Sequence, residues 1–319
     1  MIDRGITAKT MEGIRKEMGR VIKGQEEFIH LLLICLFSKG HVLVEGVPGL
    51  GKTLAVRALA AVADVDFHRI QFTPDMMPSD ITGTNIYDLR TQTFHLKKGP
   101  LFTNFLLADE INRTPPKTQS ALLEAMEERC ITVDGKDYPL DEPFMVFATQ
   151  NPIEFEGTYP LPEAQLDRFM MKLLVDYPGE EEEKDVLRQY HQGFDSHDFG
   201  GIRLNKLIHR GVLEKCREEI RQVRVDESIF SYIMAIVGAT RQSRHLLLGA
   251  SPRASIALLM ASKTLAAAEN RDYVIPDDAK YLSLPVLRHR VLVSPESEIE
   301  GVRADDVIYG ILNQVKVPR

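Results

Sequence analysis

Short apolar runs alternate with segments of helical periodicity through the first half of the chain. Several runs are apolar on both faces, which is typical of strands in the middle of a helix-covered parallel sheet. The runs that predict strands are residues 41–45, 67–71, 104–108, 144–149 and 170–176. Residues 53–63 and 117–129 have helical spacing and composition. This β-α-β alternation predicts an α/β fold with a doubly wound sheet.

Two stretches with turn signals interrupt this alternation. Residues 81–101 contain Gly and Asp turn positions between β-prone residues, and residues 130–139 carry Asp134-Gly135 between two short strands. An Asp-Gly pair in that setting predicts a two-residue hairpin turn. Taken alone, each hairpin is as compatible with a surface elaboration as with a functional insert.

The character of the chain changes after Asp176. The residues Tyr177-Pro178-Gly179 break the pattern, and helical segments dominate from there to the end. We therefore predict an α/β domain over residues 1–177 and a smaller all-helical domain over residues 178–319. The acidic run at 180–183 suits the first turn of a helix, so we interpret it as capping and not as a binding site.

Composition and charge narrow the class of protein. The 319 residues are 44% hydrophobic and 27% charged, which is typical of a globular chain, and the net charge is −7. That charge argues against a protein that coats nucleic acid through bulk electrostatics. No uncharged apolar stretch reaches the roughly 20 residues of a membrane helix, and no secretory signal is recognisable. Three scattered cysteines (Cys35, Cys130 and Cys216) fit neither a disulfide framework nor a zinc site, so we expect a cytoplasmic protein.

One segment carries a strong chemical signal. It matches the pattern G-x-x-x-x-G-K-[ST] between a predicted strand and a predicted helix, and it comprises Gly46, Val47, Pro48, Gly49, Leu50, Gly51, Lys52 and Thr53, followed by Leu54. Glycines let backbone N–H groups surround phosphate oxygens, and the helix N-terminus adds positive potential. We expect Lys52 to contact the β- and γ-phosphates of a nucleotide and the Thr53 hydroxyl to ligate Mg²⁺.

A second signal follows the apolar run at 104–108, which ends in Asp109 and Glu110. Two carboxylates at the end of a buried strand are costly unless a cation or a polarised water meets them. Neighbouring side chains of a strand point to opposite faces, so we expect different tasks for the two acids. Asp109 would belong to the Mg²⁺ shell, and Glu110 would polarise the attacking water.

Further polar residues end or begin elements in the same half of the chain. An amide after the strand at 144–149 is suited to bind the γ-phosphate or the water, and we favour Asn151 over Gln150. Arg168 precedes the last predicted strand. Periodicity does not decide whether it pairs with Asp167 or Glu163 or reaches a neighbouring subunit.

Two weaker signals complete the candidate site. Ser251 and Pro252 predict the start of a helix that runs to about residue 268. Arg253 then lies in its first turn, where a cation is unfavourable unless an anion is near. The apolar segment containing Val21, Ile22, Gly24 and Gln25 precedes the first strand and is a candidate lining for a base pocket.

Together these residues resemble the AAA+ ATPases, and more narrowly the MoxR family, over nearly the whole chain. The stretches that carry the resemblance are residues 21–25, 46–53, 107–113, 118–129, 147–152, 163–169, 251–255 and 287–290. The resemblance implies a P-loop αβα sandwich with a five-stranded parallel sheet and a helical lid. It makes the phosphate loop and Asp109-Glu110 the two Walker elements, Asn151 the first sensor, Arg168 a finger acting in trans and Arg253 the sensor on the lid.

The resemblance also implies a function. It is the Mg²⁺-dependent hydrolysis of ATP by a homo-hexameric ring that acts as a chaperone in complex assembly, maturation or metal insertion, with a partner that carries a von Willebrand factor A domain. The preference for adenine rests on the resemblance alone. One alternative is a nucleic-acid motor on the same core, for which we would expect more Lys and Arg at the hairpin tips. The other is a slow nucleotide switch.

Overall fold

The computed structural model describes residues 5–47, 49–151, 158–196 and 199–318. Pro48 of the phosphate loop lies outside these residues. The strands in the described part of the chain are β1 Val42–Glu45, β2 Phe67–Gln71, β3 Gly83–Asp88, β4 Thr93–Lys98, β5 Phe105–Asp109, β6 Cys130–Val133, β7 Lys136–Pro139, β8 Met145–Gln150, β9 Met171–Leu174, β10 Leu246–Leu248 and β11 Leu292–Val293.

Helices surround these strands. Those of the described residues are α1 Ile6–Met18, α2 Glu26–Phe37, α3 Lys52–Ala63, α4 Pro78–Thr82, α5 Pro116–Glu128, α6 Glu163–Leu166, α7 Glu180–His191, α8 Arg210–Gln222, α9 Glu227–Gln242, α10 Pro252–Ala268, α11 Pro276–Leu287, α12 Pro295–Ile299 and α13 Ala304–Gln314. The α/β half followed by a helical half confirms the fold class predicted from the sequence. The second half is not all-helical as predicted, because β10 and β11 form a short antiparallel pair within it.

The central sheet has five parallel strands in the order β2-β5-β8-β1-β9. Residue Val42 of β1 is in register with Phe147 of β8 on one side and with Met171 of β9 on the other. All five predicted strands are present, and each begins or ends within two residues of its prediction. Because the strands are parallel, their carboxyl ends share one edge of the sheet and their amino ends share the opposite edge.

The inner strands β1, β5 and β8 are buried on both faces, which explains their apolar runs, whereas the edge strand β2 is largely exposed. Val42 and Val44 point into the core beneath α1, α2 and α3, whereas Leu43 points into a second core with α4 and α5. Alternate residues of a strand face opposite sides, so a strand covered on both faces needs apolar residues at every position.

The helical half packs directly against the first of these cores. Side chains of α2, such as Leu32 and Leu33, are buried in one continuous cluster with Leu258 and Ala261 of α10. The Ser38 and Thr264 hydroxyls also hydrogen-bond across this contact at 2.7 Å. In the described part of the chain, no helix has the length and apolar character needed to cross a bilayer.

The two predicted hairpins are present as β3–β4 and β6–β7. Asp134 and Gly135 have φ angles of 50° and 75°, the left-handed pair that a tight hairpin turn requires. The Asn85 amide donates to the Asp134 carboxylate at 2.7 Å, so the two hairpins contact each other.

Candidate active site

The phosphate loop follows β1 and opens α3, as its sequence predicts. Gly49 and Gly51 have φ angles of 89° and 75°, which side chains with a Cβ seldom adopt. Gly46 has a different reason, because a Cβ there would lie 2.6 Å from the Val175 carbonyl oxygen beyond β9. The loop therefore keeps its backbone N–H groups accessible at the carboxyl-end edge of the sheet.

Lys52 is the cationic group of this loop. Its Nζ donates to the Gly46 carbonyl oxygen at 2.6 Å. Burial lowers the pKa of Lys52, and the carboxylates of Asp109 and Glu110 oppose that shift. A partly desolvated ammonium in the first turn of a helix is unfavourable by itself, and a bound polyphosphate would offset that cost.

Asp109 and Glu110 are held by different partners, in line with the two tasks expected from the sequence. Asp109 accepts from Arg69 at 2.7 Å and from the Thr149 hydroxyl. Glu110 accepts from the Gln71 amide at 2.7 Å and from Arg113 at 2.9 Å. Its own backbone has a φ angle of 58°, a strained conformation for a residue with a side chain.

The side chains of Lys52, Asp109 and Glu110 line one cavity of about 460 Å³. It lies at the carboxyl-end edge of the sheet, and we call this edge the phosphate edge. Asn151, buried and next to the end of β8, lines the same cavity, and so does Gln150. The structure thus brings both candidates for the first sensor to the site, and the choice of Asn151 stays a prediction.

The oxygen ligands expected for Mg²⁺ also meet here. Thr53 and Asp109 both line the cavity, and hydroxyl and carboxylate oxygens are ligands that Mg²⁺ takes. The described residues contain no group of three or more His, Cys, Asp or Glu that would hold a metal by itself. This donor set fits Mg²⁺ bound by one or two protein oxygens together with substrate phosphates.

A second cavity, of about 340 Å³, adjoins the first and shares Gly49, Gly51, Leu54 and Tyr190 with it. Val21, Ile22 and Gln25 line it, as predicted for a base pocket. The Gln25 amide donates to the Leu50 carbonyl oxygen at 2.6 Å and ties this segment to the phosphate loop.

Gly24, which was also predicted to line the base pocket, lies outside the lining of this cavity and is packed against α7. A Cβ on Gly24, whose φ angle is 67°, would lie 2.7 Å from the Glu182 Cβ, so this glycine lets α7 approach the segment. Sequence analysis missed Tyr190 and Phe194, which line the pocket from α7 and just beyond it. Their four-residue spacing was a usable signal, but the acidic start of this helix pointed to capping alone.

The two candidate arginines lie elsewhere. Arg168 and Arg253 both pair with the Glu127 carboxylate, Arg168 at 2.8 Å. They line a pocket with His41, which immediately precedes β1. We call this place, defined by Glu127, Arg168 and Arg253, the arginine edge, because it lies at the amino ends of β1 and β9.

This placement bears on the alternatives that the sequence left open for Arg168 and on the expected position of Arg253. Arg168 pairs with neither Asp167 nor Glu163 but with Glu127. Arg253 begins α10 with Ser251 as its N-cap, as predicted, yet it does not line the cavities of its own phosphate loop. A four-residue strand spans about 13 Å, so the two edges are well separated within one chain.

Comparisons with known proteins agree with this geometry. Residues 41–171 match the model of the ATPase family associated with various cellular activities (AAA), and residues 238–311 match the AAA lid domain. Chaperone MoxR1 of Mycobacterium tuberculosis is 43% identical over 97% of this chain and 83% of its own length. The chain belongs to the MoxR family of AAA+ ATPases.

Other relatives share the same full-length extent. The uncharacterised protein YeaC of Bacillus subtilis is 50% identical over 95% of this chain and 93% of its own. A crystal structure of a protein from Cytophaga hutchinsonii superposes with a TM-score of 0.89 at 45% identity, covering 98% of this chain and 96% of the other. The MoxR-family chain is therefore an ATPase whose two domains both have counterparts in its relatives.

Proposed function

We propose that this MoxR-family protein hydrolyses ATP with Mg²⁺ in a head-to-tail ring, where each site is completed by a neighbour, and that it acts as a protein-remodelling chaperone. The observation that carries the proposal is the separation of the two edges. One edge holds the phosphate loop and the acidic pair, and the other holds two arginines that converge on a single carboxylate.

The shared carboxylate indicates what the arginines bind. Two guanidinium groups from different domains meet at Glu127, and an anion at that point receives both. Arginine forks suit carboxylate and phosphate oxygens equally well in geometry. Because their own phosphate loop lies at the far edge, the γ-phosphate that they reach belongs to another copy of the chain. Such a heterologous contact generates a ring when its rotation closes.

The chemistry then divides between two subunits. In one subunit Lys52 binds the β- and γ-phosphates, and Glu110, oriented by Gln71 and Arg113, accepts the proton of the attacking water. Mg²⁺ at Thr53 and Asp109 would neutralise charge on the phosphate oxygens. The neighbour's Arg168 and Arg253 stabilise the charge of the transition state, a contribution worth about 10³–10⁵ in rate for arginine fingers of GTPases.

The exposed residues of the β3–β4 hairpin favour a polypeptide client over nucleic acid. Leu89 and Phe94 are 83% and 71% exposed near its tip. Arg90 is also exposed, but its charge is opposed by nearby Asp88. Apolar tips suit an unfolded segment, whereas a nucleic-acid motor depends on phosphate contacts from Lys and Arg. The hexameric count, the von Willebrand factor A partner and the cytoplasmic location stay predictions.

The test is the ATPase rate per subunit against protein concentration, for the wild type and Arg168→Ala. A ring in which the finger acts across the interface gives a wild-type rate that rises with concentration. The variant alone is slower by about 10³-fold or more, and Arg168→Ala added to a fixed amount of wild type lowers the wild-type rate. A concentration-independent rate that Arg168→Ala leaves unchanged would contradict the proposal and favour a self-contained nucleotide switch.

A further inference from the structure

The segment Leu287–Arg290 carries three basic residues that the reaction described so far does not use. Arg290 is the most unusual of them, because only 2% of its side chain is exposed. A buried charge is costly unless it is paired and all its donors are satisfied. The partners of Arg290 therefore indicate which part of the structure the buried charge stabilises.

All five N–H donors of Arg290 are used, and four of the bonds go to the turn that carries Arg168. The Nε atom donates to Asp167 Oδ1 at 2.7 Å, and the terminal nitrogens donate to the carbonyl oxygens of Asp167, Phe169 and Met170 at 3.2, 2.6 and 2.9 Å. The fifth bond goes to the Val286 carbonyl oxygen. The guanidinium thus fixes the backbone on both sides of Arg168.

Asp167 extends this contact to the second arginine. Its Oδ2 accepts from the Ser251 hydroxyl at 2.8 Å. Ser251 is the N-cap of α10, and its oxygen in turn accepts from the backbone N–H of Arg253 at 3.1 Å. The Asp167 carboxylate therefore hydrogen-bonds both Arg290, which lies just after the lid helix α11, and Ser251, the N-cap of the lid helix α10.

The chain of bonds runs from Arg290 through Asp167 and Ser251 to the first turn of α10. Arg168 is the residue next to Asp167, and Arg253 lies in that first turn, so the two arginines are set relative to each other by this network. Their convergence on Glu127 is the visible result. A displacement of about 1 Å at a catalytic group can cost 10²-fold in rate. Rigid support of both arginines therefore gives a functional reason to bury the Arg290 charge despite its free-energy cost.

We propose that Arg290 is a positioning residue, which acts through Asp167 to present Arg168 and Arg253 as one unit to the nucleotide of the neighbouring subunit. The proposal rests on the trans-acting role proposed above. It requires that Arg290 matter for the site of the neighbour and not for the site of its own chain, because the phosphate edge lies at the other end of the strands.

The decisive variant is Arg290→Lys, which keeps the charge but removes the planar fork. Its matched control is Arg288→Lys, two residues earlier, where the arginine pairs with Asp305 at 2.9 Å and, among the residues that the structure describes, donates no hydrogen bond to Asp167. We expect Arg290→Lys to bind a fluorescent ATP analogue with wild-type affinity and to hydrolyse ATP roughly 10- to 100-fold more slowly. Arg288→Lys is expected to match the wild type in both measurements.

Mixing separates positioning from general damage. A Glu110→Gln subunit has intact arginines but no base, whereas an Arg290→Lys subunit has an intact base but misplaced arginines. Mixed before assembly, the two variants should recover at least fivefold more activity than either alone, as Arg168→Ala mixed with Glu110→Gln should. Should Arg290→Lys not fold, as judged by thermal melting, Asp167→Asn takes its place with the same expected pattern.

The outcomes are distinguishable. If Arg168→Ala is rescued and Arg290→Lys is not, or if Arg290→Lys alone has the wild-type rate, the positioning role is overturned and the trans-acting site stands. If Arg168→Ala is not rescued either, the proposed function itself fails. A weakened affinity of Arg290→Lys for the ATP analogue would also contradict the proposal, since it would mean damage to the site of its own chain.

Discussion

The two edges of the central sheet are built in different ways. The phosphate edge is made of short contiguous segments that each end a strand: the loop after β1, Asp109 and Glu110 at the end of β5, and Asn151 after β8. The arginine edge is made of single residues from distant parts of the chain, Glu127, Arg168 and Arg253, and two domains contribute to it. The first edge contains the groups expected to hold a nucleotide, whereas in the proposed ring the second edge acts on the nucleotide of another copy.

This difference shows how one fold can hold two groups of functional side chains at opposite edges of a sheet. Parallel strands place all their carboxyl ends together, so loops that bind phosphate gather there. Residues at the amino ends of the strands lie one strand length away from those phosphate-binding loops. A subunit built in this way has its acids and its phosphate loop at one end and the two arginines at the other. If the arginines act as proposed, turnover requires assembly.

Loss of the base at the phosphate edge is expected to have a large effect, of the same order as the loss of Arg168. Glu110→Gln removes the base while Gln71 and Arg113 still have a side chain to contact, so we expect ATP binding to persist and kcat to fall about 10²- to 10⁴-fold. Steady-state ATPase assays together with binding of a fluorescent ATP analogue measure the two quantities. The exposed Glu124→Gln on α5 is the control and should have wild-type activity. Unchanged turnover in Glu110→Gln would refute the assignment of the base.

A smaller effect is expected at the arginine edge. Arg253→Ala leaves Arg168 in place, so we expect the rate to fall roughly 10- to 100-fold, less than for the loss of the finger. ATP affinity of the isolated subunit should not change, and mixing with Glu110→Gln should restore activity. Weaker ATP binding without rescue would instead place Arg253 over the nucleotide of its own chain, and the separation between the edges would fail.

The smallest effect concerns the carboxylate that holds both arginines. Glu127 competes with a neighbour's phosphate for them, and pairs of this exposure are worth about 0.2–1 kcal/mol. Glu127→Gln is therefore expected to raise the ATPase rate about 2- to 5-fold at protein concentrations where the ring is only partly assembled. Glu128→Gln, the next residue along the chain, is the control. A lower rate in Glu127→Gln would show that the carboxylate aligns the arginines and does not compete for them.

Much of the phosphate edge could be predicted because its chemistry is local in sequence. The glycines, Lys52 and Thr53 lie within the eight consecutive residues Gly46–Thr53, so no long-range contact is needed to recognise a phosphate loop. The same holds for the hairpin turn at Asp134-Gly135, whose φ angles follow from the residue types. The inner strands β1, β5 and β8 were equally visible, because burial on both faces requires an apolar residue at almost every position.

The contribution of α7 to the base pocket shows where this reasoning stopped. The acidic residues at the start of α7 have a sufficient local explanation in the helix dipole. Nothing in that pattern shows that Tyr190, one turn before the pocket residue Phe194, would line both cavities. That depends on the close contact that Gly24 allows between α7 and the N-terminal segment, which is a property of packing.

The sequence by itself determined much of the chemistry of this protein: a phosphate loop, an acidic pair at a strand end, a polar amide, and Arg253 in a helix turn that calls for an anion. It left the partner of Arg168 open. It also determined the sheet, because side-chain periodicity and burial are local properties of a strand. Only the tertiary structure decided which groups share a site. It placed Arg253 beside Arg168 and far from Lys52, and it buried Arg290 beneath both, because the direction of the strands and the packing of the helical half set those distances. Such distances depend on contacts between residues more than a hundred positions apart, and no local pattern records them.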